Sequence, residues 1–175
     1  AVVEPSDKHY YQPGWTMAGA GVFTKEDTIK DTDSIWPSDV IRIKDEVIKF
    51  KPKNNKVTLG NETEVGYEML VVASGLKLDW EAIEGLSESL GENGVTSNYR
   101  YDLAPYTWEL VQEMNGKNAI FTQPPMPIKC AGAPQKAMYL SCDHWQKSGQ
   151  LEGMNVSFCN AGPVLFGCAT YVPPL

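Results

Sequence analysis

Cysteine and histidine are too few here, and too badly spaced, to suggest a metal centre. The four cysteines, Cys130, Cys142, Cys159 and Cys168, fall in the last third of the 175 residues, and the only histidines are His9 and His144. No two cysteines form a C-x-x-C pair, which argues against a zinc site. Cys142 and His144 stand two apart on an expected helix and so point to different sides. Disulfide scaffolds are small and cysteine-dense, and this chain is neither. Long apolar runs are also missing: none approaches the ~20 residues of a spanning helix, and the longest, Met69-Leu70-Val71-Val72-Ala73, has the length of a strand. Positive charge is in deficit. The formal net charge is −7, whereas a nucleic-acid partner calls for a basic surface. The first residues contain no charged-then-apolar segment. There are no internal repeats, and Gly14, Gly19 and Gly21 do not make a phosphate loop because no strand directly precedes them.

What is present is the composition of a globular protein, 42% hydrophobic and 21% charged, with length for one sizeable domain or two partial ones. Ala1-Val2-Val3-Glu4-Pro5 reads as the end of a buried strand with an acid at its carboxyl edge. In a dinucleotide-binding fold such an acid takes the ribose hydroxyls, roughly 20 residues after a glycine-rich turn. That turn, with its strand and helix, is expected to precede residue 1. The plainer reading makes Glu4 a solvated strand end. Asp7 to Gly21 is aromatic and then small, with Pro13 fixing the backbone. It suits either close approach to a flat ring or a turn into a short helix with a small-residue packing face.

Lys25 to Ser38 is polar and reads as a surface excursion. Strands are expected at 40–44, 46–50, 56–59 and 68–73, separated by turns at Pro52-Lys53-Asn54-Asn55 and Gly60-Asn61. The middle two alternate apolar and polar, as half-exposed strands do. The last is apolar throughout, as a central strand covered on both faces would be. It runs into Ala73-Ser74-Gly75, small enough for backbone to touch a ligand. The spacing of Trp108, Leu110, Val111 and Met114 predicts a helix over 105–115, closed by Gly116. The sequons at Asn61 and Asn155 read as chance.

A strand–turn–helix–strand unit follows: 118–122, the turn Pro127-Ile128-Lys129-Cys130-Ala131-Gly132-Ala133-Pro134, a helix over 135–147 and a strand over 155–159. Pro134 suits a first helical turn. Cys130 therefore stands where a strand hands over to a helix, a place that in a nucleotide-binding fold carries glycines and a pyrophosphate. Unpaired N–H groups at a helix start carry partial positive charge. With Lys129 alongside, that field favours the thiolate, the reactive form of cysteine. The bland alternative is a small, inert, buried cysteine.

Taken in order, these segments resemble the sulfide:quinone oxidoreductase family, and its mitochondrial type in particular. The likeness runs through the acid-ended strand, Tyr-Gln-Pro-Gly-Trp-Thr-Met-Ala-Gly-Ala-Gly, the strand meander and the run into Ala-Ser-Gly. It continues through Leu-Asp-Trp-Glu-Ala-Ile-Glu-Gly-Leu, Ser-Asn-Tyr and Lys-Cys-Ala-Gly-Ala-Pro-Gln-Lys. It implies an α/β fold of two Rossmann-like domains of the FAD/NAD-linked disulfide reductase type, both incomplete here. Residues 1–116 would be the FAD-binding part, and residues 117–175 the start of the second domain with the redox cysteine.

By position, the resemblance makes Glu4 the ribose acid, Val47 the residue whose backbone meets adenine, Ala73, Ser74 and Gly75 the turn by the cofactor, and Gln12 and Pro13 the loop near the flavin ring. Cys130 becomes the catalytic cysteine, with its partner cysteine, the quinone pocket and a membrane-contacting tail expected beyond residue 175. Cys142 and Cys168 are read as structural, whereas Cys159, which ends the next, buried strand, could face the same crevice but is read as one more buried cysteine. Hydrogen sulfide as donor, ubiquinone as acceptor, a small thiol or sulfite as sulfur acceptor, and a mitochondrial inner-membrane location follow from the same resemblance. The rivals are a sulfide dehydrogenase flavoprotein that reduces a cytochrome, a nicotinamide:quinone reductase, and a catalytically dead flavin-binding scaffold. The nicotinamide enzyme is disfavoured because the Cys130 turn lacks phosphate glycines.

Overall fold

The structure, a computed structural model, describes residues 1–175. In chain order its elements are β1 (Val2–Val3), β2 (Lys8–Tyr10), α1 (Pro13–Ala18), β3 (Ile29–Asp31), α2 (Thr32–Ile35), β4 (Arg42–Ile43) and β5 (Val47–Lys51). There follow β6 (Lys56–Leu59), β7 (Glu64–Gly66), α3 (Leu86–Ser89), α4 (Ala104–Glu113), β8 (Asn118–Gln123), α5 (Gly132–Lys147) and β9 (Asn155–Asn160). By packing they gather into two compact units, residues 1–10 with 29–82, and residues 11–28 with 83–175.

The first unit is made of small sheets. β1 runs parallel to β4, with Val2 opposite Arg42 and Val3 opposite Ile43, while β2 and β3 pair antiparallel. β5, β6 and β7 form an antiparallel meander. Alternation along β6 turns Val57 and Leu59 inward, where they are 3% and 2% exposed. Lys56 Nζ lies 2.8 Å from Glu64 Oε2, and Lys51 Nζ contacts the other oxygen of the same carboxylate, so one acid on β7 joins all three strands. Arg42 gathers the rest: it donates to the Ser6 carbonyl at 2.6 Å, pairs with Asp33, and lies over the Trp36 ring at 5.5 Å.

Three expectations for this unit need correction. The run 68–73 is not a strand but unpaired chain, with Met69 85% and Val71 81% exposed. An apolar run records a preference for burial, whereas a strand also needs a neighbour to take its N–H and C=O groups, and no segment here pairs with it. The strand over 40–44 shrinks to Arg42–Ile43 for the same reason: its partner β1 offers two residues. Conversely, the polar 25–38 stretch contains β3 and α2. β2 supplies the edge that β3 needs, and Lys8 Nζ meets Asp31 Oδ1 at 2.5 Å across the pair.

The second unit is a strand–helix–strand unit with a covering helix. β8 and β9 are parallel and in register from Asn118↔Asn155 to Gln123↔Asn160, and α5 is the crossover between them. Trp145 on α5 is 1% exposed and sits with Val111 of α4 and Ala119 of β8. Its indole N–H donates to the Val111 carbonyl at 2.8 Å, which satisfies the one polar atom of an otherwise apolar body. Phe121, Leu151, Met154, Val156 and Cys142 close around it. The helix expected over 105–115 ends at Glu113, where Met114 is already extended, so Gly116, at φ 61°, turns the connection to β8 rather than closing the helix.

The choice left open for residues 7–21 resolves to the short helix. Gly14, Thr16 and Ala18 form the buried face of α1. A Cβ on Gly19 would stand 3.0 Å from the Thr107 methyl, and one on Gly21 would enter the Trp108 ring. The small residues at positions 19 and 21 pack against α4.

Candidate active site at the Cys130 turn

Cys130 lies two residues before α5, on the exposed turn that follows β8. The first residue of the helix, Gly132, faces the sulfur: a Cβ there would be 3.8 Å from Sγ. No side chain caps the helix at Ala131, so its first N–H groups are left without a side-chain partner beside the thiol. The place expected for Cys130 is the place it occupies.

The structure brings to this turn residues from far along the chain. Lys129 Nζ donates to Gln12 Oε1, a bond across 117 positions of sequence. Gln12 Nε2 donates in turn to the Asn98 carbonyl at 3.2 Å. The amide orientation follows from these partners, since the reverse would set NH₂ against an ammonium and oxygen against a carbonyl. The Lys129 ammonium also stands 5.8 Å from the centre of the Tyr99 ring, within reach of a cation–π attraction. Tyr99 is half-buried; burial, and then the charge of Cys130, push its phenol above the ordinary range. Asn98 and Tyr99 carried no assigned role in the sequence, although Ser97-Asn98-Tyr99 was among the segments that carried the resemblance.

The remaining cysteines separate by environment. Cys142 packs against the Trp145 core, and burial pushes its thiol up. Cys159, at the penultimate position of β9, and Cys168 are exposed. This corrects the picture of Cys159 as the end of a buried strand: β9 alternates, and only its other face is half-covered.

In the first unit an open cleft of about 670 Å³ is lined by Glu4, Ser6, Lys8, Trp36 and Ser74, among others. Glu4 Oε1 accepts the Ser6 N–H at 2.7 Å. An accepting carboxylate, hydroxyls that both donate and accept, and an indole wall fit a sugar ring beside an aromatic base. Of the expected cofactor residues, Glu4 and Ser74 share this cleft, whereas Val47, Ala73 and Gly75 do not line it. Val47 is half-buried on β5 opposite Leu59, Ala73 is exposed, and Gly75 has φ 76° with open space where a Cβ would be. Pro13 opens α1.

Comparison with known proteins bears on this geometry. The chain is 43% identical to the mitochondrial sulfide:quinone oxidoreductase of Dictyostelium discoideum over 171 residues, 97% of this chain and 38% of that protein. It is 39% identical to the mouse mitochondrial enzyme over its whole length, covering 39% of that protein. The chain resembles part of a mitochondrial sulfide:quinone oxidoreductase. It spans about two fifths of the length of these curated relatives. The crystal structure of the sulfide:quinone oxidoreductase from Aquifex aeolicus superposes with a TM-score of 0.71 at 21% identity, covering 93% of this chain and 37% of that one. A chain in the Tetrahymena thermophila mitochondrial ATP synthase structure matches at TM-score 0.74 and 18% identity, over 98% of this chain and 44% of that one. At such identities the structures speak for the fold alone, which is the mixed α/β fold expected for the disulfide reductase type. No protein-family model matches.

Proposed function

We propose that the protein is a sulfide:quinone oxidoreductase, a flavoprotein enzyme that oxidises hydrogen sulfide and reduces ubiquinone in the mitochondrion, associated with the inner membrane. The observation that carries this is the 43% identity sustained over 97% of the chain, through both the first unit and the Cys130 turn. In this reading residues 1–116 serve the flavin and residues 117–175 open the half that carries Cys130.

FAD, when bound, supplies a two-electron acceptor. Glu4 would hold its ribose hydroxyls in the cleft of the first unit, which Ser74 also lines; outside that cleft, the backbone at Val47 would meet the adenine and the turn Ala73 to Gly75 would lie by the cofactor. Near the ring, Pro13 and the backbone of Gln12 remain to serve, since both ends of the Gln12 amide are engaged within the protein. The part of Cys130 is thiol–disulfide exchange. With its sulfur bonded to a second cysteine outside these residues, attack by hydrosulfide breaks that sulfur–sulfur bond. The attack forms a persulfide on one cysteine and frees the other as thiolate. The persulfide sulfur then passes to a small thiol or to sulfite. An exposed sulfur on a helix-start turn suits both transfers, because each requires a nucleophile to approach in line.

The test is stopped-flow absorbance of the flavin on mixing with sulfide, in protein of the length of its relatives. Bleaching that depends on sulfide, and recovery of the yellow form on adding a ubiquinone analogue, is the expected result. A flavin that sulfide leaves oxidised overturns the proposal.

A further inference from the structure

Gln12 has a more specific part at this turn than a loop beside a cofactor requires. Its carbonyl oxygen holds the Lys129 ammonium and its amide nitrogen is anchored on the Asn98 backbone. Lys129 is otherwise an exposed side chain on a four-carbon stem, free to spread its charge through solvent. Tyr99 takes the same ammonium on its ring, and Lys129 adjoins Cys130 in the chain, so lysine and ring stand at the turn that carries the sulfur. Arg100, next to Tyr99 in the chain, pairs with Asp102. A neutral amide is the fitting tether here, since a carboxylate would hold Lys129 equally well and cancel its charge.

We infer that Gln12 is a positioning residue for Cys130, fixing the Lys129 ammonium against Tyr99 so that a positive charge stays at the turn. The inference rests on Cys130 being the reacting thiol and names the residue that keeps its field in place. Removal of Gln12 leaves the charge present but no longer held.

The test is the rate of alkylation of Cys130 by iodoacetamide in the full chain, in which sulfur displaces iodide, a carbon–sulfur bond forms and the thiol proton goes to water. Tryptic cleavage after Lys129 and Lys136 isolates Cys130 on its own peptide, separate from the other three cysteines. Gln12→Ala is expected to slow the reaction about twofold to fourfold at low salt, the size of a surface charge effect. Lys129→Gln, read on the longer peptide 118–136, slows it at least as much, and adding Gln12→Ala to it changes nothing more. Lys129→Arg keeps the parent rate. At about 1 M salt the variants converge, because screening removes a field effect but not a structural one. Gln12→Glu, nearly the same shape, is expected to slow the reaction as well, and it serves if the alanine variant fails to fold. Parent rates in both Gln12 variants overturn the inference, as does an equal loss when Lys129 is already gone. No sulfide, flavin or quinone enters the assay, so its failure leaves the sulfide reading standing and is distinguishable from a failure of the bleaching test.

Discussion

The two units solve the problem of covering apolar surface differently. In the second, a sixteen-residue helix crosses between two six-residue parallel strands, and α4 lies over the same core, so that Trp145 is closed from every side. In the first, no strand exceeds five residues, and Ile41, Phe50, Met69 and Val71 are 70%, 50%, 85% and 81% exposed. The first unit is held by ladders and ion pairs at its surface, the second by a packed interior. The proposed roles divide along the same line. The Cys130 turn sits on the well-packed unit, where a strand and a helix would hold the sulfur in a fixed place for the proposed exchange. The open cleft with Glu4 sits on the loosely built one, where a bound molecule can add the missing contacts.

The largest expected effect tests the chemical half of that contrast. Cys130→Ser should leave the fold and the flavin colour intact, because serine nearly matches cysteine in volume. It should abolish sulfide-dependent bleaching, because a neutral hydroxyl cannot enter thiol–disulfide exchange. Cys142→Ser and Cys168→Ser should keep most of the activity. Stopped-flow traces of each single variant decide, and a Cys130→Ser protein that bleaches at the parent rate would transfer the role to Cys159, which is also exposed.

The structural half is tested at Trp145. Trp145→Ala removes the largest fully buried side chain and strands the Val111 carbonyl. A buried Trp→Ala change costs about 3–5 kcal/mol. Val71→Ser on the exposed run should stay within about 0.5 kcal/mol. Urea unfolding of the two variants side by side measures both, and equal losses would mean that the first unit hides a core the exposures do not reveal.

The same contrast explains what could be read in advance. Helix α5, strands β8 and β9 and the site of Cys130 were legible because a strand–helix–strand unit is local: its periodicities, its turn and its partners all lie within about fifty residues. Helix α4 was legible from the spacing of Trp108, Val111 and Met114. The first unit was not, since β1 with β4 and β2 with β3 are pairings between distant, two- or three-residue pieces, too short to show alternation. The run 68–73 shows the converse error, a strong strand pattern with no partner to complete it. At the site, the place of Cys130 between a strand and a helix was visible in the sequence, but the Gln12–Lys129 link spans 117 positions and no spacing rule announces it.

Next in size comes the cleft of the first unit. Glu4→Ala removes the carboxylate that lines it. Hydrogen bonds to a charged acceptor are worth roughly 1.5–3 kcal/mol, so FAD affinity should fall by about ten- to a hundredfold. The sulfide reaction should return once FAD is in excess, because Glu4 touches no reacting sulfur. Fluorescence titration with FAD reads the affinity, and an unchanged value would remove Glu4 from the ribose role.

The smallest effect is a pH dependence confined to the first unit. The Lys51 ammonium, and then that of Lys56, hold the Glu64 carboxyl down at about 2, from an ordinary value of 4.5. A carboxyl depressed in the folded state binds its proton more weakly there than in the unfolded chain. Its stabilising contribution is therefore complete above about pH 4.5, shrinks as pH falls from there, and is gone below about pH 2. The three-stranded meander should loosen across that window, while amides of β8 and β9, whose core rests on Trp145 and Val111, should not respond to Glu64. Because the lysines and the acid are solvent-exposed, the effect should be small and weaken with added salt. Amide hydrogen exchange at Val57 and Leu59, followed between pH 5 and pH 2 in parent and Glu64→Gln protein, separates the outcomes once corrected for intrinsic exchange. The parent should lose protection on acidification, and the variant should start lower and stay flat. Matching pH profiles in the two proteins would show that the ion pairs across β5, β6 and β7 leave the meander's stability unchanged.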